Sequence, residues 1–301
     1  MSSMPIPELG AAGAEPPPTV GRLRGLWRIV RRDRLVVLCL IVLTVLVVAA
    51  VFAPWLAPFP DQGAGRSHPP TAGLAPSLAH PFGTDELGRD ALSRVLMGAR
   101  PTLLVPFLVV ILAAAIGVPI GAYAGFKGGR IDGMLMRTTD LFLAFPSLLL
   151  AMVITALLGR GLANAAIALV VSWWPWYARL VRGIAASLRQ RPFVEAARAM
   201  GVRDRVIVFR HIIPNATSPV LVQATIDLGI VILAMGGLAF LGLGTQPPHA
   251  DWGLMIAEGR GHMLDLWWLA TFPGLAIFIA VMCFNVIGDG LRDVLDPREH
   301  R

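Results

Sequence analysis

The sequence predicts an all-α integral membrane protein with six transmembrane helices. Of its 301 residues, 55% are hydrophobic and only 15% are charged, whereas soluble domains usually carry about 25% charged residues. The mean hydropathy is +0.67. The uncharged residues are concentrated in six runs, and each run is long enough to cross about 30 Å of hydrocarbon as a helix. The net charge of +7 is better explained by basic loops at a membrane surface than by nucleic-acid binding.

The six predicted spans follow one another along most of the chain. They cover residues 35–60, 101–126, 141–159, 161–178, 219–243 and 266–288. Arg160 alone separates the third span from the fourth, and Asp227 interrupts the fifth. Both cysteines, Cys39 and Cys283, lie inside predicted spans, so we expect no disulfide framework.

Basic residues place both termini on the cytoplasmic side. With an internal N-terminus, the four inner segments hold 20 of the 26 lysines and arginines, as the positive-inside rule requires. We therefore expect a cytoplasmic tail with a basic amphipathic segment over 1–34 and a first helix with its outer loop over 35–100. A transmembrane core over 101–290 and a cytoplasmic tail over 291–301 complete the chain.

The segment 179–217, between the fourth and fifth spans, holds eight arginines and two helix-forming stretches. Residues 193–200 favour a helix, and Gly201 is suited to end it in the left-handed conformation. Residues 204–212 favour a second helix that begins near Asp204 and ends at Pro214. An ordinary surface connection between two spans is the alternative interpretation of such a segment.

The spacing within this segment resembles the EAA loop of bacterial ABC importer permeases, and 179–217 is called the EAA loop below. In that family the loop is a coupling helix that docks in a groove of the ATPase subunit, and we expect Glu195 to hold it by capping or by an ion pair. The residues that the resemblance assigns to coupling are Glu195, Ala196, Ala197, Gly201, His211, Ile213 and Pro214. The ending His-Ile-Ile-Pro-Asn departs from the general I-x-L-P pattern and is similar to the HILPN of the peptide and nickel branch.

A second motif, before the second span, resembles the FGTDxxGRDxxSRxxxGxR signature of the C-type permease in dipeptide and oligopeptide importers. It is called the outer motif below. Its residues are Gly83, Thr84, Asp85, Gly88, Arg89, Asp90, Ser93 and Arg94. Its charges form either an ion-pair network that packs the loop, which we favour, or a contact surface for a binding protein.

Asp227 is the one acid well inside a predicted span, and an intramembrane carboxylate usually faces protein or water. Two roles stay open for it: a pore-lining contact for a peptide amino terminus, or a hydrogen-bonded packing residue between permease subunits. The aromatic group that includes Trp173, Trp176 and Tyr177 is expected to be an interfacial belt. The sequence has no phosphate loop, clustered metal ligands or nucleophile elbow, so we expect no catalytic, metal or cofactor site on this chain.

The resemblance covers about residues 20–298. It implies the C-type permease subunit of a dipeptide, oligopeptide or nickel importer, with the type I ABC importer permease fold, in the bacterial cytoplasmic membrane. The implied partners are a second, B-type permease subunit, two ABC ATPase subunits that carry ATP and Mg, and an extracytoplasmic substrate-binding protein. Peptide uptake is the favoured function, and a nickel or other small-solute importer is the alternative. A secondary transporter is disfavoured because it would need a larger set of intramembrane charges.

Overall fold

The structure is a computed structural model that describes residues 33–295. Over these residues the regular structure is helical, apart from one isolated bridge between Thr84 and Asp90. The helices are α1 Arg34–Val51, α2 Ala53–Leu56, α3 Pro60–Gly63, α4 Ala91–Lys127, α5 Gly129–Leu143, α6 Ser147–Leu158, α7 Leu162–Leu188, α8 Pro192–Ala199, α9 Asp204–Ile207, α10 Ile213–Phe240, α11 Trp252–Gly259 and α12 Trp268–Leu295. The predicted amphipathic segment and most of the predicted C-terminal tail lie outside the described residues.

Several helices are suited to cross a membrane. The stretches that are long and apolar enough are Arg34–Val51, Ala91–Lys127, Asp204–Phe240 and Trp268–Asp293. The pair α5–α6 adds a fifth if its halves, bent by 83° at their junction, form one span. Helix α7 has 27 residues but carries more polar side chains. The all-helical, multi-span fold is thus confirmed, while the count of six and the side of the termini stay predictions.

Several helix bounds differ from those of the predicted spans, and the first two spans show this most clearly. The first span ends at Val51 rather than at residue 60, and Arg100 donates hydrogen bonds to the carbonyls of Ala50 (2.7 Å) and Val51 (2.5 Å) at that end. The second helix begins at Ala91, ten residues before the predicted start. The arginines near the start of this helix are paired with groups far away in the sequence, so their charge does not indicate a loop.

Helices α4 and α7 approach each other backbone to backbone. The contact uses glycines spaced by four residues on α4: Gly117, Gly121 and Gly125. A Cβ atom on Gly121 would lie only 2.1 Å from the carbonyl oxygen of Ala178, and one on either other glycine would lie 2.3 Å from a carbonyl oxygen of α7. Small residues at this spacing allow close packing between transmembrane helices, so α4 and α7 form one tightly fitted pair.

Candidate functional site

Helix α8 of the EAA loop ends in the conformation that the sequence predicts. Gly201 has a φ of +74°. Its amide donates to the Arg198 carbonyl at 2.9 Å, and the Val202 amide donates to the Ala197 carbonyl at 3.1 Å. These two bonds define a Schellman motif. The prediction that Gly201 ends this helix in the left-handed region is confirmed.

The predicted second helix of the loop is wrong in its second half. Helix α9 covers only Asp204–Ile207, and Val208–Ile212 forms a π-helical turn. Helix α10 then follows directly from Ile213, so Pro214 begins a helix instead of ending one. Proline is tolerated there because amides in a first helical turn need no helical partner. The loop therefore runs without interruption into the membrane-spanning part of α10.

One face of the EAA loop is buried against the end of the bundle. Its residues Val194, Ala197, Ile207, Val208 and Ile212 pack on Ala122 and Phe126 of α4 and on Val181 and Ala185, where the loop overlaps the end of α7. Each of these side chains is at most 4% exposed. Burying an aliphatic side chain of this size stabilises a fold by about 1.5–3 kcal/mol, so apolar packing holds the loop in place.

Polar contacts attach the same loop to the last two residues of α4. The Lys127 Nζ atom lies 2.5 Å from Asp204 Oδ2. The Arg198 guanidinium lies 4.5 Å above the centre of the Phe126 ring, a cation–π contact. Arg189 donates to the Lys127 carbonyl at 3.2 Å. Any displacement of the loop must therefore act on the end of α4.

The opposite face of the loop is open and mixes apolar with basic side chains. Phe193, Met200 and Phe209 are 43%, 76% and 63% exposed. Four arginines of the loop that do not contact α4 are exposed as well: Arg191, Arg203, Arg205 and Arg210. Exposed apolar groups rimmed by polar ones are typical of protein–protein contacts.

The residues that the sequence assigned to coupling divide between these two faces. Ala197 is buried, whereas Glu195, Ala196, Gly201 and Pro214 are exposed. His211 and Ile213 are half-buried. Within residues 33–295 the Glu195 carboxylate makes neither an ion pair nor a capping hydrogen bond, so the expectation that it holds the loop in this way is wrong for this conformation.

The outer motif lies at the opposite end of α4 and caps it. Asp90 is the N-cap residue, and its Oδ2 accepts hydrogen bonds from the Ser93 amide (2.8 Å) and the Ser93 hydroxyl (2.7 Å). Its Oδ1 lies 2.8 Å from His80 Nδ1. Gly83 and Gly88 have φ values of +72° and +73°. All of these contacts lie within the chain.

Buried arginines complete the outer motif. Arg89 Nε lies 2.6 Å from Asp85 Oδ2, and Arg94 Nη2 lies 2.9 Å from Glu258 Oε2. The side chain of Arg94 is only 1% exposed. Thr84 donates to the Thr71 carbonyl. The charges thus form the ion-pair network that the sequence favoured.

Two acids that were not predicted as site residues secure the outer loop between α10 and α12. Glu258 is the partner of the buried arginines, and Asp251 caps α11 by accepting from the amides of Gly253 (3.0 Å) and Leu254 (3.2 Å). Burial raises the pKa of the Asp251 carboxyl, and those amide hydrogen bonds oppose the rise. Arg89 and Arg94, the partners of Glu258, are 169 and 164 residues away in sequence, so no local signal identifies that acid.

Asp227 belongs to α10, and its side chain is buried against α7. It is 4% exposed, and Gln223 Nε2 donates to its Oδ1 at 3.0 Å. Tyr177 and Trp173, which are 0% and 7% exposed, lie beside it. The expectation of an interfacial belt is therefore wrong for these two aromatics, although Trp176 is exposed as a belt residue would be. In this conformation the chain's own helices cover Asp227.

Two family profiles match the chain in succession. The profile described as the N-terminal TM domain of oligopeptide transport permease C matches residues 21–70. The profile described as the binding-protein-dependent transport system inner membrane component matches residues 117–301. The second match includes the whole EAA loop.

Curated relatives are similar over most of the chain. A probable D,D-dipeptide transport system permease protein of Escherichia coli (strain K12) is 42% identical over 264 residues, which is 86% of each chain. A dipeptide transport system permease protein of Alkalihalophilus pseudofirmus is 41% identical over 288 residues, 94% of each chain. A glutathione transport system permease protein of Escherichia coli O6:K15:H31 is 43% identical over 272 residues, 90% of this chain and 89% of the relative.

A solved structure shares the fold. It is the inward-facing MetNI methionine ABC transporter, which aligns with a TM-score of 0.54 at 22% sequence identity. The alignment covers 68% of this chain and 96% of the matched chain. Helical packing of the core is therefore common to both proteins.

Proposed function

We propose that this chain, which belongs to the family of binding-protein-dependent transport system inner membrane components, forms half of the pore of an ABC importer for di- or oligopeptides. The observation that carries the proposal is the EAA loop, a rigid element whose buried face is fixed to the bundle and whose open face is apolar and basic. The relatives named for dipeptide and glutathione transport support a peptide cargo. An importer of nickel or another small solute is the second candidate.

The open face of the EAA loop fits a soluble ATPase subunit. Phe193, Met200 and Phe209 supply apolar contact area, and the surrounding arginines favour a partner with an acidic rim. ATP and Mg would bind to the two ATPase subunits and not to this chain. A second permease subunit and an extracytoplasmic binding protein complete the importer that we propose.

The contacts of the loop give a route for mechanical work. When the ATPase pair closes, a docked loop is displaced, and its buried face acts on Phe126 and Lys127 at the end of α4. Helix α7 follows because its backbone packs on the glycines of α4. Helix α10 follows because it is continuous with the loop. In this scheme the binding protein delivers cargo at the end of the bundle that carries the outer motif.

The test uses the complete importer, reconstituted with its binding protein. We expect Gly201→Asp or Glu195→Lys to abolish peptide import while the chain stays in the membrane, because both changes alter the docked surface and not the packed one. The matched control is Arg137→Glu, a charge reversal at an exposed residue of α5.

Three measurements are needed on each preparation: membrane insertion, co-purification of the ATPase subunits, and import of a labelled dipeptide. Normal import by Gly201→Asp and Glu195→Lys would show that the loop does not couple. Import of chelated nickel but not of peptide by the unaltered importer would favour the second candidate.

A further inference from the structure

A cavity of about 630 Å³ lies at the end of the bundle that carries the outer motif. It is called the outer cavity below, and it is lined by the end of α3, residues 97–101 of α4, the start of α7 and the loop 245–250. Its apolar walls include Met97, Pro101 and Leu162. Small-molecule sites commonly have volumes of about 300–1,000 Å³, mostly apolar walls and a few polar groups. The outer cavity therefore has the size and the character of a binding site.

Contacts around the outer cavity hold its walls in place. The loop after α10 is attached to α4 by Arg94, whose Nη1 lies 3.5 Å from the Pro248 carbonyl oxygen. Directly after this loop, Asp251 Oδ2 accepts a hydrogen bond from the Thr102 hydroxyl at 3.3 Å. Gly65 closes the wall, because a Cβ atom there would lie 2.5 Å from the same carbonyl oxygen of Pro248. A ligand that enters such a preformed cavity does not have to order its walls, which favours binding.

Arg100 supplies the outer cavity with a fixed cation. Its Nε and Nη2 atoms donate to the carbonyls of Ala50 and Val51, at 2.7 Å and 2.5 Å. A guanidinium carries five N–H groups, and the two on Nη1 have no hydrogen-bond partner between residues 33 and 295. The start of α7 also lines the cavity, and it adds the partial positive charge of the helix dipole. These groups favour an anionic ligand with planar oxygens, such as a carboxylate.

Gln246 supplies the outer cavity with a fixed acceptor. Its Nε2 atom donates to the carbonyls of Gly242 (3.1 Å) and Gly244 (2.9 Å). Both N–H groups of the side-chain amide are thereby used, which leaves Oε1 as an acceptor. His249, an exposed residue of the lining, adds ring nitrogens that donate or accept. The outer cavity thus offers a donor to a carboxylate, an acceptor to an N–H group, and apolar walls to the rest of a ligand.

We propose that the outer cavity is a binding site for a short peptide, occupied between release from the binding protein and entry into the pore. The C-terminal carboxylate of the peptide pairs with Arg100, an N–H group donates to Gln246, and apolar side chains contact the walls. The inference rests on the proposed function, because it assigns the same cargo a site on this chain. A phospholipid of the outer leaflet would bring a phosphate to Arg100 instead, and the experiments distinguish the two anions.

The first experiment compares two cargoes in the complete importer in proteoliposomes. Arg100→Gln is expected to lower import of a dipeptide with a free carboxylate by about tenfold, and to leave import of the C-terminally amidated dipeptide unchanged. Both cargoes arrive on the same binding protein, so its own preference cancels when the variant is compared with the unaltered chain. Arg100→Lys keeps a cation and should retain part of the import. Equal losses for the two cargoes, in a variant that inserts and co-purifies with the ATPase subunits normally, would overturn the inference.

A second variant fills the outer cavity without removing Arg100. Ala64→Trp places a large ring at the wall and should lower peptide import by about tenfold, because the peptide and the ring compete for the same space. Co-purification of the ATPase subunits should not change. The matched control is Ala75→Trp, at an exposed residue of the same outer loop that does not line the cavity, and it should import normally. Normal import by Ala64→Trp, or equal losses in the two variants, would overturn the inference.

A direct measurement identifies the occupant. A dipeptide with a photoreactive side chain is irradiated with the complete importer, its binding protein and ATP, and the cross-linked residues are identified by mass spectrometry. Cross-links within 97–101 or 245–250 are expected, and cross-links confined to other parts of the chain would overturn the inference. Phosphatidylethanolamine that is retained by the unaltered importer and lost in Arg100→Gln would show a lipid site and would also overturn it. An unaltered importer that does not import peptide at all would instead contradict the proposed function.

Discussion

The two ends of α4 carry motifs of opposite physical character. At the outer motif the charged residues are buried and paired inside the chain: Asp90 is 0% and Arg94 is 1% exposed. At the EAA loop the motif residues Glu195 and Ala196 are exposed, and apolar packing on the other face holds the loop. A motif whose polar groups are satisfied internally maintains the fold, whereas one that presents its residues to solvent is available to another protein.

A pair of glycines shows the same difference. Gly83 in the outer motif and Gly201 in the EAA loop have nearly equal φ values of +72° and +74°. A Cβ on Gly83 would lie 2.6 Å from Trp268 Nε1 and 2.8 Å from the Leu74 carbonyl oxygen. A Cβ on Gly201 would meet nothing within 4 Å among the described residues. The first glycine is required by its neighbours as well as by its backbone, and the second only by its backbone.

The largest expected effect comes from breaking the buried ion pairs of the outer motif. Arg94→Met should lower the free energy of unfolding by about 4 kcal/mol, because it leaves Arg89 as the one cation beside the two carboxylates of Asp85 and Glu258. Equilibrium unfolding of the purified chain in detergent measures this loss. Arg66→Met is the control: its ion pair with Asp61 is more than three-quarters exposed and should be nearly neutral. Equal effects of the two substitutions would contradict the view that the outer motif acts through burial.

The glycine pair gives the next largest effect. Gly83→Ala should destabilise the chain by about 3 kcal/mol, from left-handed strain together with a clash against Trp268. Gly201→Ala should cost about 1 kcal/mol, from strain alone. The same unfolding titration measures both changes. If the two substitutions cost the same, the clash contributes nothing and the contrast between the two glycines fails.

The smallest effect is expected at the ion pair between the loop and α4. Lys127→Met should leave stability almost unchanged, because both side chains of the Lys127–Asp204 pair are at least one-third exposed. Any difference from the unaltered chain should disappear at 1 M salt, where the pair is screened. Thermal unfolding at low and high salt measures it, and a large salt-independent loss would show that Lys127 holds the loop more firmly than its exposure indicates.

Local sequence signals predicted correctly those features that depend only on residues near one another in the sequence. Uniform apolar runs predicted the spans, and a helix-forming stretch followed by Gly201 predicted the Schellman motif. The break between α5 and α6 was not predicted, although Pro146 marks it, because an uninterrupted apolar run indicates one straight span. The sequence likewise did not predict that Pro214 begins a helix, because that depends on the π-helical turn before it.

Long-range contacts account for the other differences. Arg94 and Arg100 appeared to mark a loop because their partners, Glu258 and the end of α1, are remote in sequence. Tyr177 appeared to belong to a membrane interface because three tryptophans surround it, but the close approach of α7 to α4 and α10 buries it. Amino-acid type indicates which environment a side chain prefers. Only the packing of the helices shows which residues it contacts.

The length of α4 has a geometric consequence. With 37 residues the helix is about 56 Å long, which exceeds the 40–45 Å of a bilayer with its headgroups. Because the EAA loop packs on one end and the outer motif caps the other, this helix connects the two motifs directly. A rotation of about five degrees at the EAA loop would carry the far end through about 5 Å, more than the width of one side-chain contact. A small tilt at the EAA loop would thereby become a larger displacement at the outer motif.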